Sequence, residues 1–153
     1  MDQTNCYCIF RMDDQLFGVA VARVEKIIRA AAVTPVPDSP ETLTGLLNVE
    51  GRIFPVVNLR KKWRLPERAM EIDDRIILFK TDRIIGFVVN GVEGVVQFDH
   101  LGFHQAGDIQ PGLEKYIEGA GKLDHRNVII VDLARFLNSQ ELGYMEKITA
   151  DHG

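Results

Sequence analysis

Arg75-Ile-Ile-Leu-Phe-Lys-Thr-Asp-Arg-Ile-Ile-Gly-Phe-Val-Val89 is the stretch whose reading decides the fold. It holds two runs of β-branched, aliphatic and aromatic residues, Arg75–Lys80 and Ile84–Val89. Thr81-Asp82-Arg83 between them suits a hairpin turn. The same design recurs on both sides. Gly94–Phe98 reads as a third strand. Upstream, Cys6–Met12 meets the turn pair Asp13-Asp14, and Leu16–Val21 returns as its partner with Gly18 inside. Ile53–Val57 reads as a strand in which Pro55 predicts an edge or a bulge. Downstream, Tyr116–Lys122 is a weak strand and Asn127–Val131 a strong one. Many short strands with glycine-rich turns predict a mainly β sandwich or barrel.

Helical signals are few. Val24, Ile27 and Ile28 share one face at helical spacing, with Glu25, Lys26 and Arg29 opposite, which predicts a short helical turn. Thr42–Leu47 reads as another. Val33–Pro37 is extended, because Pro35 and Pro37 push the residues before them out of the helical region. Leu59–Trp63 predicts a short helix stopped by Pro66. Leu133, Phe136 and Leu137 share a face, and Asn138 or Ser139 suits the cap of a final helix whose apolar face is Leu142, Met145 and Ile148. Glu67–Asp74 is the most polar stretch in the middle of the chain and reads as a linker. Residues 99–112 read as a loop, and no repeat of fixed period is evident.

The chain has 153 residues, 46% of them hydrophobic and 26% charged. That suggests one domain or two small intertwined lobes, large enough to bury a core without a metal or a disulfide. The formal net charge of −4 argues against a general nucleic-acid binder. No apolar run approaches the roughly 20 residues of a membrane helix, and Met1–Asn5 lacks the pattern of a secretory signal, so the cytoplasm is the default. Cys6 and Cys8 would share one face of a strand, too parallel for an easy disulfide, and are expected as reduced thiols.

Each chemical motif meets a simpler explanation. His100 and His104 have the spacing of metal ligands on a helix, but Gly102 separates them and no Glu or Cys completes a set. Gly91-Val92-Glu93-Gly94 is too short for a phosphate loop. Ser39 and Ser139 sit beside turn and cap residues, so no catalytic triad is indicated. Asp73 and Asp74 read as solvated turn residues. Neither a cofactor nor an enzymatic activity is expected. Arg52, Arg60, Lys61, Lys62, Arg64 and Arg68 surround Trp63. One reading of residues 52–68 is a patch for nucleic acid or a small anion, with Trp63 stacking. The other is the solvated face of a short helix with Leu59 and Trp63 turned inward.

Gly45-Leu-Leu-Asn-Val-Glu-Gly-Arg-Ile-Phe-Pro-Val-Val-Asn-Leu-Arg60 resembles the signature of the CheW family: glycine, two apolar residues, Asn-Leu-Arg-Gly, an apolar pair, proline, two apolar residues, Asp-Leu-Arg. Val24-Glu25-Lys26-Ile27, Thr34-Pro35-Val36-Pro37, Ile85-Gly86-Phe87-Val88-Val89-Asn90-Gly91-Val92 and Val131-Asp132-Leu133 resemble further family elements in the same order. So does Phe136-Leu137-Asn138-Ser139-Gln140-Glu141. The match spans roughly residues 6–145.

The resemblance implies two intertwined five-stranded SH3-like β-barrels with short helices and a C-terminal helix. They would form a single domain over residues 1–153, with the lobe boundary near 66–74 and the termini crossing between lobes. It also implies a non-catalytic adaptor in chemotaxis signalling, cytoplasmic and held at membrane receptor arrays by its partners. One barrel would dock on the regulatory domain of a CheA-type histidine kinase around Val24, Ile27, Ile28, Thr44 and Gly45. The groove between barrels would receive the cytoplasmic tip of a chemoreceptor, with Asn48, Glu50, Gly51, Arg52 and Val88 as receptor-facing residues. Two positions depart from the family pattern: Glu50 stands where Arg is usual, and Asn58 where Asp is frequent. Glu for Arg replaces a donor fork with an acceptor.

Overall fold

The computed structural model describes residues 5–99 and 116–152. Ten strands build two five-stranded sheets. The first joins β1 (Cys6–Met12), β2 (Gln15–Ala20), β8 (Gly91–Gln97), β9 (Ile117–Leu123) and β10 (Arg126–Val131). The second joins β3 (Val24–Arg29), β4 (Leu43–Val49), β5 (Arg52–Val57), β6 (Arg75–Lys80) and β7 (Ile84–Val89). Their orders are β8-β1-β2-β10-β9 and β3-β6-β7-β5-β4. In each order the third and fourth strands are parallel and every other neighbouring pair is antiparallel. The mainly β expectation, in two five-stranded lobes, holds.

The chain repeats itself where no repeat was expected. Val49 opposite Arg52, Leu47 opposite Phe54 and Leu43 opposite Val57 in the β4–β5 hairpin correspond to Leu123 opposite Arg126, Gly121 opposite Val128 and Ile117 opposite Val131 in β9–β10. Both hairpins skip one residue in the ladder, Thr44 and Glu118. Both turn through two residues at positive φ, Glu50 (52°) and Gly51 (87°) in one, Asp124 (51°) and His125 (67°) in the other. Paired positive φ values match the twist of the flanking strands. Each hairpin then leads into a short helix capped by a side chain. Asn58 accepts from the Lys61 N–H before α1 (Leu59–Lys62), and Asp132 accepts from the Ala134 N–H before a 3-10 turn at Leu133–Phe136. The repeat escapes a sequence scan because few identities accompany the shared geometry.

Three local readings are corrected. Val24, Ile27 and Ile28 lie in β3, a strand, with Ile27 opposite Ile77 and Ile28 opposite Ile76. Pairing with β6 overrides the helical spacing, and the two isoleucines pack into different clusters. Thr42–Leu47 is mostly β4; its bulge at Thr44 breaks the alternation that marks a strand. Pro55 lies inside the sheet order, but on the part of β5 that precedes the pairs with β7, Val56 with Gly86 and Val57 with Phe87. It therefore has a ladder partner on one side alone, which suits a residue with no N–H to donate.

Residues 66–74 do not divide the lobes. They connect α1 to β6 within one sheet, and the chain passes between sheets at residues 21–23 and at Asn90. Consequently β1 and β2 are completed by β8, β9 and β10 from the other end of the described chain. The two sheets share one core. Trp63, from the β5–α1 side, sits against Phe17 (4.5 Å between ring centroids), Phe136 (5.2 Å) and Phe10 (6.5 Å), all from the first lobe. Smaller clusters fill each lobe separately, around Ile9 and Ile130 in one and Leu47 and Ile76 in the other. The final helix, α2 (Ser139–His152), is capped by Asn138, whose side chain accepts from the Glu141 N–H at 2.8 Å. Met145 and Ile148 are buried as expected, whereas Leu142 is 42% exposed. Both cysteines are free, and burial pushes the Cys8 thiol up to about 11, which leaves it unreactive. His100 and His104, and all of the 99–112 loop except Asp99, lie outside the described residues.

Two glycines of the β4–β5 hairpin make different demands. Gly45 has φ +151°, and a Cβ there would lie 2.2 Å from the Thr34 carbonyl oxygen, because Thr34 and Leu46 exchange backbone hydrogen bonds across it. Gly51 has φ +87° with open space around it. Gly45→Ala should cost about 3 kcal/mol through collision plus backbone strain, and Gly51→Ala about 1 kcal/mol through strain alone. Urea midpoints for the two variants check this ordering, and equal midpoints would refute it.

Candidate functional site

The structure separates the ten residues that the sequence grouped into two surfaces. Asn48, Glu50, Gly51 and Arg52 stay together at an exposed hairpin tip. The Asn48 side chain accepts the Gly51 N–H at 2.9 Å, and the Arg52 guanidinium lies 5.1 Å over the Phe54 ring. Glu50 projects without a packing role. Val88 is not part of this tip. It follows the Val56–Gly86 and Val57–Phe87 pairs of the parallel β5–β7 ladder, whereas Arg52 precedes them.

Val88 instead meets Thr44. Both line a cavity of about 80 Å³ together with Asn58, Arg60, Arg68, Met70, Asp74 and Asn90. Thr44 also borders a shallow groove of about 460 Å³ formed by Ala30–Val33 and by Met70, Glu71 and Ile72. Ile72 is 86% exposed, and with the three alanines it makes an apolar patch at the end of β3. Ile28 and Arg29 lead into this patch. Gly45 lies beneath Thr34 and is buried, so it shapes the surface without being part of it.

A third feature lies between the lobes. A groove of about 700 Å³ is walled on one side by Arg23 and Lys80–Arg83, and on the other by Ala134, Leu137, Leu142 and Glu146. Val24, opposite Phe79 at the start of β3, belongs to this end of the lobe. Arg23 is fixed there by stacking over the Phe79 ring at 4.6 Å, by donating to the Lys80 carbonyl at 2.8 Å, and by reaching Asp132 at 3.6 Å. The exposed Leu142, misplaced in the core by the helical pattern, faces this groove.

Half of the basic run is engaged with carboxylates of the protein itself. Arg60 grips Asp13 of the β1–β2 turn with two hydrogen bonds, 2.8 and 3.2 Å. Lys62 reaches the buried Glu141 at 2.5 Å. Arg68 grips Asp74 with bonds of 2.8 and 3.2 Å. Trp63 is 3% exposed and has no face to offer a base. Three of the six cations thus face internal carboxylates, and an anion-binding surface over residues 52–68 finds no support.

Asp74, read from sequence as a solvated turn residue, is 2% exposed. Burial pushes its carboxyl up. The hydrogen bond from Arg68, the Glu71 N–H, the Arg68 charge and Asn90 together outweigh burial and hold it below the usual 3.8. The segment 66–74 is therefore a clamped loop, not a free linker. A carboxylate with a lowered folded-state pKa stabilises fully above its unfolded value and loses that contribution as pH falls through the folded one. Urea midpoints of the wild type should therefore decline below about pH 4, and Asp74→Asn should flatten that part of the profile. Arg68→Ala at pH 7 should cost about 3 kcal/mol, as breaking a buried pair does. A pH profile for Asp74→Asn that parallels the wild type would exclude Asp74 as the titrating group.

Comparison with known proteins accounts for this architecture. A family model described as CheW-like domain matches residues 7–141. The chain is 27% identical over 150 residues to the chemotaxis protein CheW of Klebsiella aerogenes, covering 95% of this chain and 89% of the relative. It is 28% identical over 144 residues to the chemotaxis protein CheW of Thermotoga maritima, covering 94% and 89%. The crystal structure of the scaffolding protein TtCheW from Thermoanaerobacter tengcongensis superposes with a TM-score of 0.79 over 92% of each chain at 23% identity, so the two five-stranded lobes are SH3-like barrels. Among the described residues no helix is long and apolar enough to cross a membrane. The chain belongs to the CheW-like family, a family of non-catalytic chemotaxis scaffold proteins.

Proposed function

We propose that this protein couples a chemoreceptor to a CheA-type histidine kinase by offering each a separate surface. The observation that carries the reading is the separation itself. The apolar patch around Thr44, Ala30–Val33 and Ile72 and the charged hairpin tip at Glu50 and Arg52 lie at different ends of the same barrel. The kinase's regulatory domain docks on the Thr44 patch, where apolar side chains stand exposed beside a bulged strand. Ile28 contributes at its margin. The receptor tip enters the inter-lobe groove, whose apolar floor of Ala134, Leu137 and Leu142 is bordered by Arg23 and Lys80, with Val24 at the same end of the lobe opposite Phe79. The Asn48–Arg52 tip contacts the receptor at its rim. Val24 thereby moves from the kinase surface to the receptor surface, and Val88 from the receptor surface to the kinase surface. The protein works in the cytoplasm and joins the receptor array through these partners alone.

Glu50 gives the receptor contact its charge signature. A rim charge governs association rate and the rejection of wrong partners more than the strength of the final complex. Glu50→Arg should leave folding unchanged, weaken binding to a co-adapted receptor fragment and strengthen binding to one that normally meets Arg.

Two substitutions test the division of surfaces. Thr44→Arg should weaken binding to the kinase regulatory domain by at least roughly tenfold, as burying an unpaired charge does, and leave receptor binding intact. Glu50→Arg should alter receptor affinity in a salt-dependent way and leave kinase binding intact. Calorimetric titrations of both variants against both fragments decide the matter. Parallel losses for both partners in both variants would overturn the two-surface reading.

A further inference from the structure

We propose that Glu141 is a positioning residue for the Thr44 surface: through it the C-terminal helix holds the entry to β4 in place. The inference deepens the kinase-docking reading and rests on it. Glu141 is completely buried. One carboxylate oxygen accepts from the Lys62 ammonium at 2.5 Å and from the Asn138 N–H at 2.8 Å, and the other accepts from the Thr42 hydroxyl. Its own N–H donates to Asn138. Three elements distant in sequence thus converge on one side chain: the first turn of α2, the last residue of α1 and the residue that leads into β4.

The capping box explains the Asn138 contacts, and local helix stability asks for no more. It does not require burial, a lysine or a threonine. Burying a charge is costly unless each of its acceptor sites is used, and here they are used to join separate elements. Thr42 is held twice, since its carbonyl also accepts the Asn58 N–H at 2.8 Å. Two residues later comes Thr44, the bulged residue of the β4 ladder. Unlike its neighbours, it has no ladder partner to fix its height, so its position follows from where Thr42 enters the strand. Tyr144, one turn further along α2, approaches the Pro37 carbonyl at 3.5 Å, which ties the helix to the segment before Thr42 as well.

The test removes the link without removing the charge pair. Thr42→Val keeps the shape, the Lys62–Glu141 pair and the capping box, and deletes the hydroxyl; Thr42→Ser keeps the hydroxyl. Thr42→Val should weaken kinase-domain binding about tenfold, a loss of about 1.4 kcal/mol. Thr42→Ser should restore it. Receptor binding should be unchanged in both. In the free protein, amide hydrogen exchange at Leu43 to Leu46 should speed up in Thr42→Val and not in Thr42→Ser. The double variant Lys62→Met/Glu141→Leu, which removes both charges and the acceptor of the Thr42 hydroxyl together, should show the same faster exchange. If exchange at β4 is unchanged in Thr42→Val and in the double variant, the positioning role is wrong. If exchange rises as stated but the wild type has no affinity for the kinase domain, the docking assignment fails while the coupling of α2 to β4 stands. Faster exchange in Thr42→Val without loss of kinase affinity would show that Thr44 is not part of the docking surface.

Discussion

Trp63 is the residue on which the arrangement of the two barrels depends. It leaves the second barrel at the end of α1 and inserts among Phe10, Phe17 and Phe136 of the first. A buried aromatic of this size contributes roughly 3–5 kcal/mol, which is a large share of a single domain's stability. Because its neighbours come from β1, β2 and the turn after β10, neither barrel can close its core alone. The lobes are two in topology and one in packing.

That shared core explains the polar features around it. A tryptophan wedge fixes the lobes only if they cannot rotate about it, and ion pairs on its flanks supply that restraint. Arg60 of α1 holds Asp13 of the β1–β2 turn, and Arg23 at the first crossover reaches Asp132. The Asp13 N–H donates to Asn90 at the second crossover, and Arg68 fixes Asp74 nearby. An isolated surface ion pair is worth little. Here Arg60–Asp13 and Arg23–Asp132 bridge segments that only the fold brings together, and Arg68–Asp74 clamps its own loop beside them. Half of the cation cluster that reads in sequence as an anion patch is thus structural.

With the lobes fixed, the outer faces are free to carry interactions. The internal repeat places a hairpin tip on each barrel, with the same register, the same bulge and the same pair of positive-φ residues. The chemistry at the two tips differs: Asn48, Glu50 and Arg52 on one, Lys122, Asp124, His125 and Arg126 on the other. Equivalent scaffolds with different side chains are how a chain without catalytic groups can tell partners apart, since specificity is a difference between affinities. The groove between the barrels has no counterpart within either one and exists because the lobes are locked at one angle.

The sequence by itself determined most of the strands, several turns and the family. Continuous apolar runs such as Arg75–Lys80, the turn pair Asp13-Asp14 and the Asn138 cap are local signals, and local signals survive without knowledge of the fold. The signature from Gly45 to Arg60 carried the family in the same way. What the sequence misread were positions where a distant partner decides: β3 taken for a helical turn, Thr44 hidden in a bulge, Leu142 placed in the core, and Asp74 taken for a solvated acid. Tertiary structure alone decided which strands share a sheet, that residues 66–74 lie within a barrel, and that Val88 joins Thr44 and not Arg52. The physical reason is that strand pairing and charge burial are set by contacts between residues far apart in the chain, whose outcome is not encoded in either segment read alone.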